Sequence, residues 1–291
     1  MTEPSSQAIY ESQPGLSLFS AGLAAMGVLS ILYRDFAYSW QPVPAFPGRG
    51  LVAVACGVFM VGVSIALHFR ATAALAARAL FVFLLAWLSL KIPSIIAAPQ
   101  IEGVWLGIGE VAMLVAGGWV LFARLSGLEN VPFFSRITGP SGFRMAQILF
   151  ALAVLPVGLS HMVYAKITAT LVPSWLPFRM GFAYLTGIGQ IACGLAILLA
   201  LWPRIAALVE TAMLTLFAFL VWGPDTWFSA TPKMPTSPHG ARFPLTAFLI
   251  TWVIAASALL VAGNAADQAI EPLPLQPNRR THADLAESTK A

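Results

Sequence analysis

Eight times along this chain, charged residues stand about one membrane thickness apart. The stretches run from Glu11 to Arg34, Arg49 to Arg70, Arg70 to Lys91, Glu102 to Arg124, Arg144 to Lys166, Arg179 to Arg204, Arg204 to Asp225 and Arg242 to Asp267. Each holds roughly 19 to 24 residues, the length that carries a helix across about 30 Å of hydrocarbon at 1.5 Å per residue. Only Arg78, Glu110 and Glu210 interrupt them. The stretches are apolar on every side, without the in-out alternation of barrel strands, so they read as helices. The expected fold is an all-α integral membrane protein with eight transmembrane helices, and its first partner is the lipid bilayer.

Composition agrees and removes other classes. Hydrophobic residues make up 58% of the chain and charged ones 10%, against about 25% charged in an average soluble protein, so a water-soluble globule is excluded. The 16 basic and 12 acidic residues are scattered and form no stripe that could follow phosphates, which argues against nucleic acid as a partner. Two cysteines exclude a disulfide scaffold, and no Cys/His spacing suggests a metal or iron-sulfur site.

Proline, tryptophan and glycine mark the connections, in Trp40-Gln41-Pro42-Val43-Pro44, Val172-Pro173-Ser174-Trp175-Leu176-Pro177 and the run from Gly223 to Gly240. The first 33 residues hold no Lys or Arg, so the basic region of a cleavable signal is missing and the first span is expected to stay. From Asn264 onward the composition is polar and Pro-rich and reads as a disordered tail. The expected segments are a polar stretch over 1–15, a four-helix half over 16–124, a linker over 125–144, a second half over 145–263 and the tail over 264–291. An even number of spans puts both termini on one side. Nine basic residues fall on that side and seven on the other, which makes the termini cytoplasmic by the positive-inside rule. The expected location is a bacterial inner (cell) membrane.

The two halves share an ordered set of matches. Gly27 and Tyr33 match Gly158 and Tyr164; Ala55-Cys56-Gly57 matches Ala192-Cys193-Gly194; Arg70 matches Arg204; Ala73-Ala74-Leu75 matches Ala206-Ala207-Leu208; Pro93 matches Pro224. Four helices per copy is an even number, so two such repeats would run parallel, related by an axis along the membrane normal.

The second half carries a further pattern. It reads Gly158-Leu159-Ser160-His161-Met162, then Val172-Pro173-Ser174-Trp175-Leu176-Pro177, Tyr184-Leu185-Thr186-Gly187, Cys193-Gly194-Leu195 and Trp202-Pro203-Arg204. Over about Ala146 to Ala262 this resembles the DoxX-like family of four-helix membrane proteins. The first half resembles a diverged copy that keeps Trp40 and two nearby prolines, with Ser30 in the place of His161 and Asp35 in that of Lys166. Gln190 stands where DoxX-like sequences often carry an acid. The resemblance implies a subunit or accessory of a membrane redox system working with quinone or thiol chemistry, with quinone as the cofactor to look for and a redox protein as partner.

Ionisable groups inside hydrocarbon cost about 2.5 to 3.5 kcal/mol on insertion scales, so each needs a partner or a role. Glu210 lies about 9 Å past Arg204 and Arg78 about 12 Å past Arg70, measured from the same face, so one reading is an ion pair between the halves. The alternative has Arg78 snorkelling and Glu210 protonated. Glu110 lies about 12 Å from the opposite face and would reach neither without a water-filled path. At that face, His161, Tyr164, Lys166, Trp175 and Arg179 gather at helix ends, with Trp222, Asp225 and Trp227 extending the group and His239 and Arg242 able to join it. They read either as interfacial anchors or as a pocket for an anionic or quinone-like head group. His68 and His161 fall on opposite faces, too far apart to share a haem iron. Cys56 and Cys193 read as small apolar residues.

Three functional readings stay open: the redox accessory, a proton-coupled carrier of a small solute resting on Arg78, Glu110 and Glu210, and a non-catalytic assembly or docking protein.

Overall fold

A computed structural model describes residues 14–37, 40–227 and 242–270, with side chains to residue 263. The helices are α1 (Pro14–Tyr33), α2 (Arg49–Ala66), α3 (Arg70–Ser89), α4 (Ile92–Ala97), α5 (Glu102–Leu125), α6 (Gly139–Val163), α7 (Ala165–Leu171), α8 (Arg179–Leu198), α9 (Pro203–Phe217), α10 (Gly223–Trp227) and α11 (Arg242–Ile270). Among the described residues there is no strand. Eight spans are long and apolar enough to cross a membrane, with α3 and α4 forming one and α9 to α10 another. They are the eight stretches that the charge spacing picks out.

Two boundaries move. The final helix continues through Ile270, past the expected start of the tail at residue 264. The linker ends earlier than expected because Gly139 and Pro140 open α6, proline being suited to the first turn, where its missing N–H costs nothing. Residues 1–13, Lys233, His239 and residues 271–291 lie outside the described residues.

Uniformly apolar helices do not announce which face is inward, so packing order is set by close approach and by a few polar ties. Helices α5 and α11 are the inner pair, with 72% of each span buried against 22–50% for the other six. They touch each other; α3 and α6 pack on α5, while α1 and α9 pack on α11. Helix α1 also packs on α2, and α6 on α8. Both of these crossings are glycine contacts. A Cβ at Gly57 would lie 2.6 Å from the Gly27 carbonyl, and one at Gly187 would lie 2.7 Å from the Gly158 carbonyl. Small residues let transmembrane backbones meet this closely. Gly194, the sequence match of Gly57, makes a different contact. Gly194 faces the Ala151 carbonyl, two turns away from the crossing.

One ionic tie closes the bundle at the face opposite the termini. The Asp35 carboxylate, in the loop after α1, pairs with Arg49 at the start of α2 and, at 3.0 Å, with Arg242 at the start of α11. Arg242 also donates to the carbonyls of Asp35 (3.1 Å) and Phe36 (2.6 Å) and lies over the Tyr33 ring. Arg242 therefore belongs to this clamp and not to the pocket at the ends of α6 and α8, because a carboxylate and two carbonyls are nearer.

Candidate functional site

Residues of the second half, together with α5 of the first, enclose a chamber of about 420 Å³ between α5, α6, α7, α8, α9 and α11. The α6–α8 glycine crossing builds one wall. A Cβ at Gly187 would stand 2.9 Å from the His161 Cβ, and one at Gly158 would stand 3.1 Å from the Gln190 Cβ, so the crossing sets His161 and Gln190 side by side on the lining. On the other wall, Gly109 brings α5 against the Ala153 carbonyl of α6, where a Cβ would come within 2.6 Å. That approach carries the next residue, Glu110, into the lining.

The polar groups fall at two levels. Near the face, Tyr164 ends α6, and its hydroxyl accepts the Gly103 N–H at 3.1 Å, meeting one of the four donors that open α5 without an intrahelical acceptor. His161 Nδ1 lies 2.8 Å from Thr186 Oγ1. The Thr186 hydroxyl turns back to the carbonyls of Phe182 (2.9 Å) and Ala183 (3.1 Å), which uses its one proton. The assignment that satisfies every group therefore has His161 donating from Nδ1 and keeping the Nε2 lone pair. Deeper in, Glu110 lies eight residues into α5 and Gln190 eleven into α8, about 12 and 16 Å from the same face. Gln190 lines the chamber and donates to Glu210 at 3.3 Å; the second oxygen of Glu210 and the amide oxygen of Gln190 are buried without a donor.

Aromatic rings and one backbone irregularity complete the lining. Phe217 lies 5.5 Å from the His161 ring. After it, α9 loosens into a π turn over Ala218–Trp222 that points Val221 and Trp222 at the chamber. Pro224 supplies the cause, since it lacks the N–H that would bond the Leu220 carbonyl and its ring crowds that turn.

Several expected contacts are not made. Arg78 and Glu210 do not pair. Arg78 donates to the Ser126 carbonyl just past the end of α5, from Nε at 3.0 Å and also from Nη2, where the negative end of the helix is nearer than any carboxylate. Glu110 makes no direct contact with Glu210: Glu110 and Gln190 both line the chamber, Gln190 in turn donates to Glu210, and Lys91 acts electrostatically on Glu110. Of the interfacial group, His161, Tyr164 and Trp222 line the chamber. Lys166, Trp175 and Arg179 do not. Trp175 is 70% exposed, Lys166 and Arg179 are exposed, and Arg179 donates to the Ser174 carbonyl in its own loop. Asp225 is buried away from the chamber, and Trp227 packs on Phe219 and Phe248. Cys56 and Cys193 are free thiols. Among the described residues no three His, Cys, Asp or Glu side chains group as metal ligands would.

Thr186, Phe217 and Gln190 are the lining residues that sequence reasoning did not assign to the site. Gln190 and Thr186 stood in the DoxX-like pattern without being given a place in the pocket, and Phe217 offered only its spacing along an apolar helix, which core residues share. Tyr164→Phe should cost about 1 kcal/mol, one hydrogen bond, by leaving the Gly103 amide unmet. Thermal unfolding in detergent reads this, and an unchanged midpoint would mean the amide has another acceptor.

A family model described as a domain of unknown function (DUF8561) matches residues 149–257. That is well under half of the chain, and it holds α8, α9 and most of the chamber's lining. No curated protein and no solved structure matches the chain.

Proposed function

We propose that this chain is a membrane protein whose chamber receives the head group of a quinone or quinol, serving as an accessory to a membrane redox system. One observation carries the reading: a chamber of head-group size, with flat apolar faces from Phe217 and Trp222, holds a hydroxyl, an imidazole and a carboxyl from three different helix positions. Tyr164 accepts a hydrogen bond from the Gly103 N–H and so keeps its own hydroxyl proton to offer a quinone carbonyl. His161 Nε2 has a lone pair for a quinol hydroxyl. When a quinol is oxidised its two electrons pass to the partner enzyme, and its two protons find acceptors at His161 and Glu110. The DoxX-like resemblance of the second half points the same way; nine basic residues on the terminal side against seven opposite favour cytoplasmic termini, and the membrane of this reading is a bacterial inner one.

The test is direct. Full-length protein, extracted in mild detergent, should carry quinone into organic extracts. Delipidated protein should bind a short-chain quinol by calorimetry, with His161→Phe and Glu110→Gln each weakening binding about tenfold, the worth of one hydrogen bond in a dry site. No retained quinone together with unchanged binding in both variants would sink the reading.

A carrier reading has one observation in its favour, the buried unmet oxygens of Gln190 and Glu210 at the wall of a chamber that Glu110 also lines, which resemble a proton-coupled site. Proton-driven uptake into liposomes that stops in Glu110→Gln would replace the quinone reading.

We also infer that the two halves are parallel repeats. Exchanging α1, α2, α3 and α5 for α6, α8, α9 and α11 preserves which helices touch: the α1–α11 contact becomes α6–α5, and α3–α5 becomes α9–α11. The crossings at Gly27/Gly57 and Gly158/Gly187 correspond, and three residues after each glycine stand Ser30 and Met60 in one half against His161 and Gln190 in the other. In the first half the space is filled by Trp40, Phe59, Phe83 and Trp87, packed ring against ring. On this reading these rings occupy the place in the first half that the chamber takes in the second.

A further inference from the structure

A second concavity lies outside the chamber, on the seam between α5 and α6. It encloses about 820 Å³, with Ile108 and Ala112 on one side and Leu152, Pro156 and Leu159 on the other. It follows the helices. From Glu102 to Ala112 its wall runs ten residues, about 15 Å along the direction that lipid chains take. The wall is apolar except at the face, where Gln100 and Glu102 stand beside Trp105. Polar end at the head-group level and apolar length below it is the shape of one lipid chain and its head.

Glu102 sets the sign of that head. Both of its carboxylate oxygens are shielded from water, and neither receives a hydrogen bond from the protein. Arg242, which opens α11 at the same face, by contrast meets Asp35 and two carbonyls through its two terminal nitrogens. A carboxylate withdrawn from water without a donor is costly, and a cation with N–H groups removes that cost once the partly exposed Glu102 side chain turns its oxygens into the mouth of the groove. We propose that the α5–α6 seam binds a membrane lipid bearing a primary ammonium head group, with one acyl chain in the groove and the ammonium on Glu102. A choline head offers no N–H, and a glycerol head on an anionic phosphate offers the wrong charge. The site stands on the groove and Glu102 alone and is independent of what the chamber binds.

The experiment offers full-length protein in mild detergent an equal mixture of phosphatidylethanolamine, phosphatidylcholine and phosphatidylglycerol with identical chains, and counts retained lipids by native mass spectrometry. Wild type should retain phosphatidylethanolamine about tenfold over the other two, the worth of one charge-assisted hydrogen bond. Glu102→Gln should retain all three alike, and Glu102→Asp should keep the preference. Leu152→Trp, which fills the groove and leaves the carboxylate in place, should lose the retained lipid. Equal retention by wild type, a preference that survives Glu102→Gln, or one lost in Glu102→Asp overturns the proposal.

Discussion

Leucine at Gly187 should leave little folded protein. A Cβ there already meets the Gly158 carbonyl at 2.7 Å and the His161 Cβ at 2.9 Å. The first is backbone, which cannot swing aside as a side-chain tip can. The α6–α8 crossing must then open by more than an ångström, at a cost of about 3 kcal/mol, the upper range for overpacking a tight contact. The same lesion removes the wall that holds His161 and Gln190. Gly62 is the control, because a Cβ there meets nothing within 4 Å. Fluorescence-detected size exclusion after a heat step measures both: Gly187→Leu should aggregate well below wild type, and Gly62→Leu should track it. Equal stability of the two variants would show that the crossing is looser than its geometry.

Breaking the Asp35 clamp is the second large effect. Arg242 is 7% exposed in its side chain, so losing the carboxylate strands a buried cation and also releases Arg49. One partner removed from a buried pair costs about 3 to 5 kcal/mol. Because Asp35 keeps some contact with water, Asp35→Ala belongs at the lower end. Its pH dependence has a definite sign. Burial raises the Asp35 carboxyl, but the hydrogen bonds from Arg49 and the Phe36 N–H, with the charges of Arg49 and Arg242, outweigh it and hold the group below its ordinary 3.8. A carboxyl depressed in the folded state contributes its stability above the ordinary value and loses it as pH falls through the folded one. Wild type should therefore lose stability as the pH drops below about 4, while Asp35→Asn, already lacking the contribution, should show a smaller loss over that window. Parallel acid curves for the two proteins would remove the clamp from the account.

The architecture was legible because a membrane leaves little choice: charges cannot enter, so their spacing reports the spans. Which helices lie innermost was not legible, since apolarity does not track burial: α11 is the most apolar span, but the equally buried α5 is among the less apolar ones. At the site, His161, Tyr164 and Trp222 were found because a polar or aromatic group at a helix end stands out against apolar sequence. Lys166, Trp175 and Arg179 stood out for the same reason and turned outward. Helical position alone does not say which side of a helix a residue faces when both sides are greasy. Arg78 and Glu210 were matched by depth alone. What one coordinate could not supply was the neighbour: a carbonyl for Arg78, an amide for Glu210. The π turn had a readable cause in Pro224, although the same proline reads equally well as the end of a helix.

The chamber's polar inventory is split across the chain. Glu110 and the Gly103 amide that anchors Tyr164 come from α5, whereas His161 and Gln190 come from α6 and α8. A fragment cut to residues 149–257 would be a vessel missing a side. Such a piece, made alone, would have to borrow a helix from a neighbour, while the uncut polypeptide carries the missing stave at a fixed one-to-one stoichiometry.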